Sequence, residues 1–125
     1  MESLAPQDIA EQFALKYYAD FQSDRNAFIQ YFYRDHSVLT FENETVEGVQ
    51  AIAGKWTAEY LKTAKFQVTT KNAQRVPGGF VIVLVTGLIQ LTENDAPMNF
   101  SQSFLISMDN KGVFCNNDLF KLVYG

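Results

Sequence analysis

Apolar positions along the chain fall into two regimes. In the first half, Ile9, Phe13, Tyr17 and Phe21 recur every four residues with Ala10, Ala14 and Tyr18 beside them, the pattern of a helix with one broad apolar face. Pro6 suits its first turn, and Asp8 lies where the helix dipole favours an anion. A second, shorter helix is expected over 25–34, with Asp24 as its N-cap. Val49, Ile52, Ala53, Trp56 and Tyr60 keep helical spacing for a third, preceded by Gly48. A short strand over 37–41 separates the second and third helices.

From Phe66 onward the spacing is that of strands. Phe66, Val68 and Thr70 begin an extended segment that runs to Val76, and Pro77-Gly78-Gly79 marks a turn. Residues 80–91 form a near-continuous apolar run, as expected of a central strand covered on both faces. A polar, acidic loop over 92–97 follows. Residues 100–108 alternate, Asp109-Asn110-Lys111-Gly112 reads as a hairpin turn, and 113–124 closes the chain. The order predicts a single α+β domain over 1–125: a cone in which three N-terminal helices pack on a strongly bent antiparallel β-sheet.

The last strand sharpens this picture, because it is apolar on both phases. One phase carries Phe114, Phe120, Leu122 and Tyr124; the other carries Val113, Cys115, Leu119 and Val123. Helices on one side of a sheet require only one apolar face, so the second needs another cover. A homodimer formed sheet-on-sheet supplies it. The alternative is a sheet covered on both sides by its own helices.

Composition narrows the function. At 125 residues, 47% hydrophobic and 19% charged, the chain is one folded domain. Its 14% aromatic content, from eleven Phe, six Tyr and one Trp, gives a full core with rings left for a second surface. The net charge of −4, with ten scattered Lys and Arg, argues against a nucleic-acid scaffold or an anionic-membrane binder and favours a basic partner. The single Cys115 forms no internal disulfide, which fits a reducing compartment. The N-terminal sequence lacks the pattern of a signal peptide, so the N-x-[ST] matches at Asn43 and Asn99 are expected to be unused. No apolar run approaches the roughly 20 residues of a membrane span.

Catalytic signatures are absent: there is no GxSxG, P-loop, GxGxxG or HExxH, and no Cys/His cluster able to hold zinc. His36 is the only histidine and sits in Arg34-Asp35-His36-Ser37 at a helix-to-strand junction, where a surface or capping role is expected. Cys115 is expected to be an inert core thiol. No cofactor or metal is called for. Phe41-Glu42 sets a large ring beside a carboxylate as a strand enters the turn Asn43-Glu44. Glu93, Asn94 and Asp95 occupy the loop after the central strand. A hydrophobic mouth ringed by such carboxylates suits an apolar anchor flanked by Lys or Arg on a partner. Taken alone, the solvation of loops explains these charges more simply.

Several motifs in register change that balance. Phe13-x-x-x-Tyr17-Tyr18-x-x-Phe21, Asp24-Arg25, Leu39-Thr40-Phe41-Glu42 and Gly48-x-x-Ala51-Ile52 resemble the nuclear transport factor 2 family. So do Thr86-Gly87, Phe100-Ser101-Gln102-x-Phe104 and Asn117-Asp118-Leu119-Phe120-Lys121-Leu122. The match runs from about residue 9 to the C-terminus. The resemblance implies a bent sheet against three helices, dimerised through the sheet, and a carrier rather than an enzyme. It implies binding to the GDP form of the small GTPase Ran and to Phe-rich, FxFG-type nucleoporin repeats, with shuttling between cytoplasm and nucleus. Ran-binding roles carry over to Phe41 and Glu42, to Glu93 and Asp95 in the acidic loop, and to the apolar Met98 and Phe120. Leu119 carries over to the dimer interface.

The chain departs from the family in places. Pro6 stands near where members often carry a Trp implicated in nucleoporin contact, Phe66 stands for a family His, and the segments 27–33 and 92–95 are each one residue longer. Two alternatives stay open: the small subunit of an mRNA-export heterodimer, and a cone-pocket isomerase or dehydratase. The latter needs a buried Asp, His or Tyr constellation, for which Tyr17, Tyr18 and Asp118 are available although packing explains them more simply.

Overall fold

The structure, a computed structural model, describes residues 3–124. Pro6 opens helix α1 (Pro6–Ser23), Asp8 lies in its first turn, and the four-residue stripe Ile9, Phe13, Tyr17 and Phe21 is buried. Asp24 both ends this helix and begins the next. Its N–H donates to the Asp20 carbonyl, and its carboxylate accepts from the Ala27 N–H at 3.1 Å to cap α2 (Arg25–Phe32). Tyr33 turns extended at φ −124°, so α2 stops two residues before the spacing suggested.

Two short strands follow, β1 (Val38–Phe41) and β2 (Glu44–Glu47). The second was not foreseen: Glu-Thr-Val-Glu offers one apolar residue, and its pairing with β1 rather than burial holds it in place. Helix α3 (Val49–Trp56) is shorter than the pattern that reached Tyr60. The Thr57 hydroxyl donates to the Ala53 carbonyl at 2.6 Å, and a 3₁₀ turn, Glu59–Leu61, takes over. Arg25 fixes this break. Its guanidinium donates to the carbonyls of Phe21, Trp56 and Leu61 at 2.8, 2.6 and 3.2 Å and lies over the Phe21 ring. Tyr60 is consequently half exposed rather than part of the core.

The long strands are β3 (Lys65–Val76), β4 (Phe80–Gln90), β5 (Met98–Asp109) and β6 (Gly112–Val123). They form one six-stranded sheet in the order β2-β1-β6-β5-β4-β3. The sheet is mixed rather than wholly antiparallel, because β1 pairs parallel with β6. A parallel pair needs a long connection, and residues 42–111 lie between these two strands.

Two irregularities shape the sheet. The β3–β4 register shifts between Val68 and Thr70. Close by, a Cβ on Gly87 would stand 2.1 Å from the Gln67 carbonyl oxygen, so only glycine permits this close approach of the two strands. In β6 an extra residue, Asn116, separates Cys115, opposite Ile106, from Asn117, opposite Leu105. Such a bulge swaps the faces of the residues beyond it. Cys115, Asp118 and Phe120 therefore share the buried face, while Leu119 and Val123 point away from the helices. The helices cover only one face of β4, leaving Ile82 and Leu84 43% and 45% exposed on the other.

Candidate binding site

Strand register places the end of β1, the start of β3, the end of β4, the start of β5 and the end of β6 at one end of the sheet. An aromatic column runs toward it. Phe41 and Phe120, paired in register, stack with ring centroids 4.8 Å apart and planes 1° from parallel; Phe100 stacks on Phe120 at 5.6 Å and 13°. Trp56 of α3 meets Phe41 edge-on at 5.6 Å. Phe41 and Phe120 are both buried, so their facing rings leave no open cavity between them. Tyr60 stands beside Phe41, centroids 6.2 Å apart, with its ring half exposed.

Glu42 follows Phe41 with φ at +59°, the left-handed region that non-glycine residues seldom occupy. Two hydrogen bonds hold it there. Its N–H donates to the Phe120 carbonyl at 3.0 Å, and its carboxylate Oε1 accepts from the Leu122 N–H at 2.8 Å. Lys121 Nζ lies 3.6 Å from the other carboxylate oxygen, a pair exposed enough to contribute little to stability. Lys55 completes the surround: it pairs with Glu44 and stands over the Phe41 ring at 5.3 Å. An ion pair with Glu44 and a bond to the Tyr60 hydroxyl raise the Lys55 pKa.

Met98 begins β5 opposite Ile89 and is partly buried against the core. The acidic loop beyond it is internally tied: the Thr92 hydroxyl donates to the Asp95 carboxylate at 2.9 Å, and the Gln90 amide donates to the Asp95 carbonyl at 2.9 Å. Glu93 faces a different neighbourhood, a recess shared with Arg25, Lys62 and Lys65. The structure thus gathers Phe41, Glu42, Phe120 and Met98 at one end of the sheet, with Glu93 and Asp95 in a loop at the same end. The surrounding Arg25, Lys55, Tyr60 and Lys121 escaped sequence reasoning, since they reach this end from separate segments with no shared local pattern.

The Asp118 constellation also forms. Its carboxylate accepts from the Tyr33 hydroxyl at 2.6 Å, the Tyr17 hydroxyl at 3.0 Å and the Gln102 amide at 2.7 Å. Trp56 Nε1 donates to the Tyr33 oxygen, and the Tyr18 hydroxyl donates to Gln102. Burial pushes the Asp118 pKa up to about 6 against the lowering effect of these donors, and burial likewise drives up those of Tyr17, Tyr18 and Tyr33. Tyr17, Tyr33, Gln102 and Asp118 are each at most 1% exposed. The cluster closes the core rather than lining a pocket. His36 lies at the surface against Asn116 Oδ1 at 3.2 Å, and Cys115 is a fully buried free thiol whose pKa burial raises.

Three helices on a bent six-stranded mixed sheet, with an aromatic column between the layers, define a cone-shaped protein of the nuclear transport factor 2-like fold. Residues 9–122 match the nuclear transport factor 2 (NTF2) domain. Nuclear transport factor 2 of Emericella nidulans is 41% identical over 120 residues, covering 94% of this chain and 95% of that protein. The protein of the same name from Neurospora crassa is 40% identical, over 92% of this chain and 93% of its own length. Among solved structures, nuclear transport factor 2 from Cryptosporidium parvum superposes with a TM-score of 0.85 at 32% identity, over 94% of each chain. The chain belongs to the nuclear transport factor 2 family.

Proposed function

We propose that this protein is a homodimeric nuclear import carrier that binds the GDP form of Ran and Phe-rich nucleoporin repeats, and shuttles between cytoplasm and nucleus. The observation that carries the reading is Phe41-Glu42, a turn residue with left-handed backbone whose carboxylate stands beside an aromatic column, in a chain similar over 94% of its length to a protein named nuclear transport factor 2. A switch-region aromatic of Ran packs at the column, with Met98 and Phe120 in its apolar surround, while Glu42, Glu93 and Asp95 receive basic side chains. The stacked Phe41 and Phe120 leave no space between them, so the incoming ring displaces the half-exposed Tyr60 from Phe41. Selectivity for the GDP form follows if only that state presents the anchor, since switch ordering depends on the γ-phosphate. The sealed Asp118 cluster supports binding rather than chemistry as the role of the cone.

The test is isothermal calorimetry of Glu42→Lys against GDP-loaded Ran. Breaking a buried interfacial charge pair costs about 2–5 kcal/mol, so affinity should fall about 30-fold or more while circular dichroism stays close to wild type and the urea midpoint drops only by what the lost bond to the Leu122 N–H costs, about 1 kcal/mol. Unchanged affinity removes Glu42 from the site; binding of the GTP form in preference to the GDP form overturns the carrier reading.

A further inference from the structure

Several basic side chains of this acidic protein have a carboxylate at hand. Lys16 pairs with Asp20, Arg34 with Asp109, Lys55 with Glu44, Lys71 with Glu11 and Lys121 with Glu42. Among the described residues, Arg25, Lys62, Lys65 and Lys111 have no such ion pair, and the first three line one recess of about 510 Å³. The guanidinium of Arg25 donates only to carbonyl oxygens, which hold it in place without neutralising it. One of those carbonyls belongs to Lys62, so the arginine also steadies the backbone that carries this lysine. Lys65 opens β3 opposite Gln90. Among the described residues Glu93 is the only carboxylate lining this recess, Glu59 lying in the adjoining one beside Arg25 and Lys62, which leaves an excess of positive charge in a chain whose net charge is −4.

We propose that this recess is a cationic subsite that takes an aspartate or glutamate side chain of the protein docked at Glu42. This rests on the function proposed above. The recess is built from the start of β3, the end of β4 and the loop after it, at the same end of the sheet as Phe41 and Met98. A partner spanning that end meets carboxylates at Glu42, Asp95 and, on the rim of the recess itself, Glu93, and cations at Lys62 and Lys65. Complementary charge of both signs fixes the orientation of docking and rejects a reversed approach, which a single acidic rim cannot do.

Two arms test the subsite. In the first, a capped hexaglutamate peptide and, separately, inorganic phosphate are titrated at low salt into the ¹⁵N-labelled protein. The peptide is expected to shift the amides of residues 62–65 and 90–93, the shifts vanishing in Lys62→Glu/Lys65→Glu. They should strengthen in Glu93→Gln, a gain that no merely disruptive change produces. In the second, GDP-loaded Ran is expected to bind the double variant at least about fivefold more weakly, with the urea midpoint unchanged. Absence of localised shifts, response to phosphate alone, or full Ran affinity in the double variant overturns the subsite. Should Ran fail to bind wild type at all, the Ran reading falls while the peptide arm still decides the recess.

Discussion

Asp118 illustrates how a single buried residue acquires a pH signature. Its carboxylate has three donors, yet burial outweighs them and lifts its pKa from the ordinary 3.8 to about 6. Between those values the folded protein holds a proton that the unfolded chain has lost. Its contribution is therefore most favourable below about 3.8 and is lost as pH rises through 6. Asp109 works in the opposite sense: the Arg34 fork, at 2.7 and 2.9 Å, pulls its pKa well below the usual range. That stability is present above the ordinary 3.8 and disappears as pH falls below it. Urea denaturation at pH 7.0, 5.5 and 4.5 should show wild type gaining stability relative to Asp118→Asn as the solution is acidified. A difference that stays flat over this window would mean that Asp118 titrates as an ordinary carboxylate.

At the scale of the element, the helices and the long strands were legible within a few residues, because burial stripes of period 3.6 and 2 survive in the sequence. Their ends were less so. Helix α3 stops at Trp56 because Thr57 and Arg25 claim the carbonyls at its C-terminus, and Arg25 arrives from a different helix. Strand β2 exists by pairing with β1, which leaves no trace in hydropathy. Gly87 is one motif glycine among others in the sequence; in the fold it is where the β3 backbone leaves no room for a side chain. Gly87→Ala should cost about 2–3 kcal/mol by overpacking, read as a lower urea midpoint. A neutral substitution would show that the strands can part there without penalty.

For the whole molecule, the outstanding feature is the uncovered face of the sheet. Ile82, Leu84, Leu119 and Val123 are 43%, 45%, 56% and 50% exposed on it, and Leu119 lies in register between Ser103 and Thr40. Contiguous apolar surface of this kind marks an interaction site. We propose that a second copy of the chain covers it. Leu119→Glu would place two charges close to the dyad of such a dimer, and light scattering should report a shift from dimer to monomer at micromolar concentration. A wild type that is already monomeric under those conditions would count against the homodimer.

The sequence by itself determined the order of the three helices and of every strand but β2, the α+β class, the Asp24 cap and the adjacency of Phe41 and Glu42, because these depend on local spacing and nearest neighbours. It also carried enough motifs in register to resemble the right family. Only the tertiary structure decided which residues of the last strand face the core. The bulge at Asn116 lets Cys115 and Phe120 share one side, a reversal that strict alternation forbids. It alone set Lys121 beside Glu42, sealed Asp118 behind two tyrosines, and brought Arg25, Lys62 and Lys65 around a single recess. The physical reason is common to all of these. Period and propensity act over a few residues, whereas charge balance and close packing act across whatever the fold brings within a few ångströms.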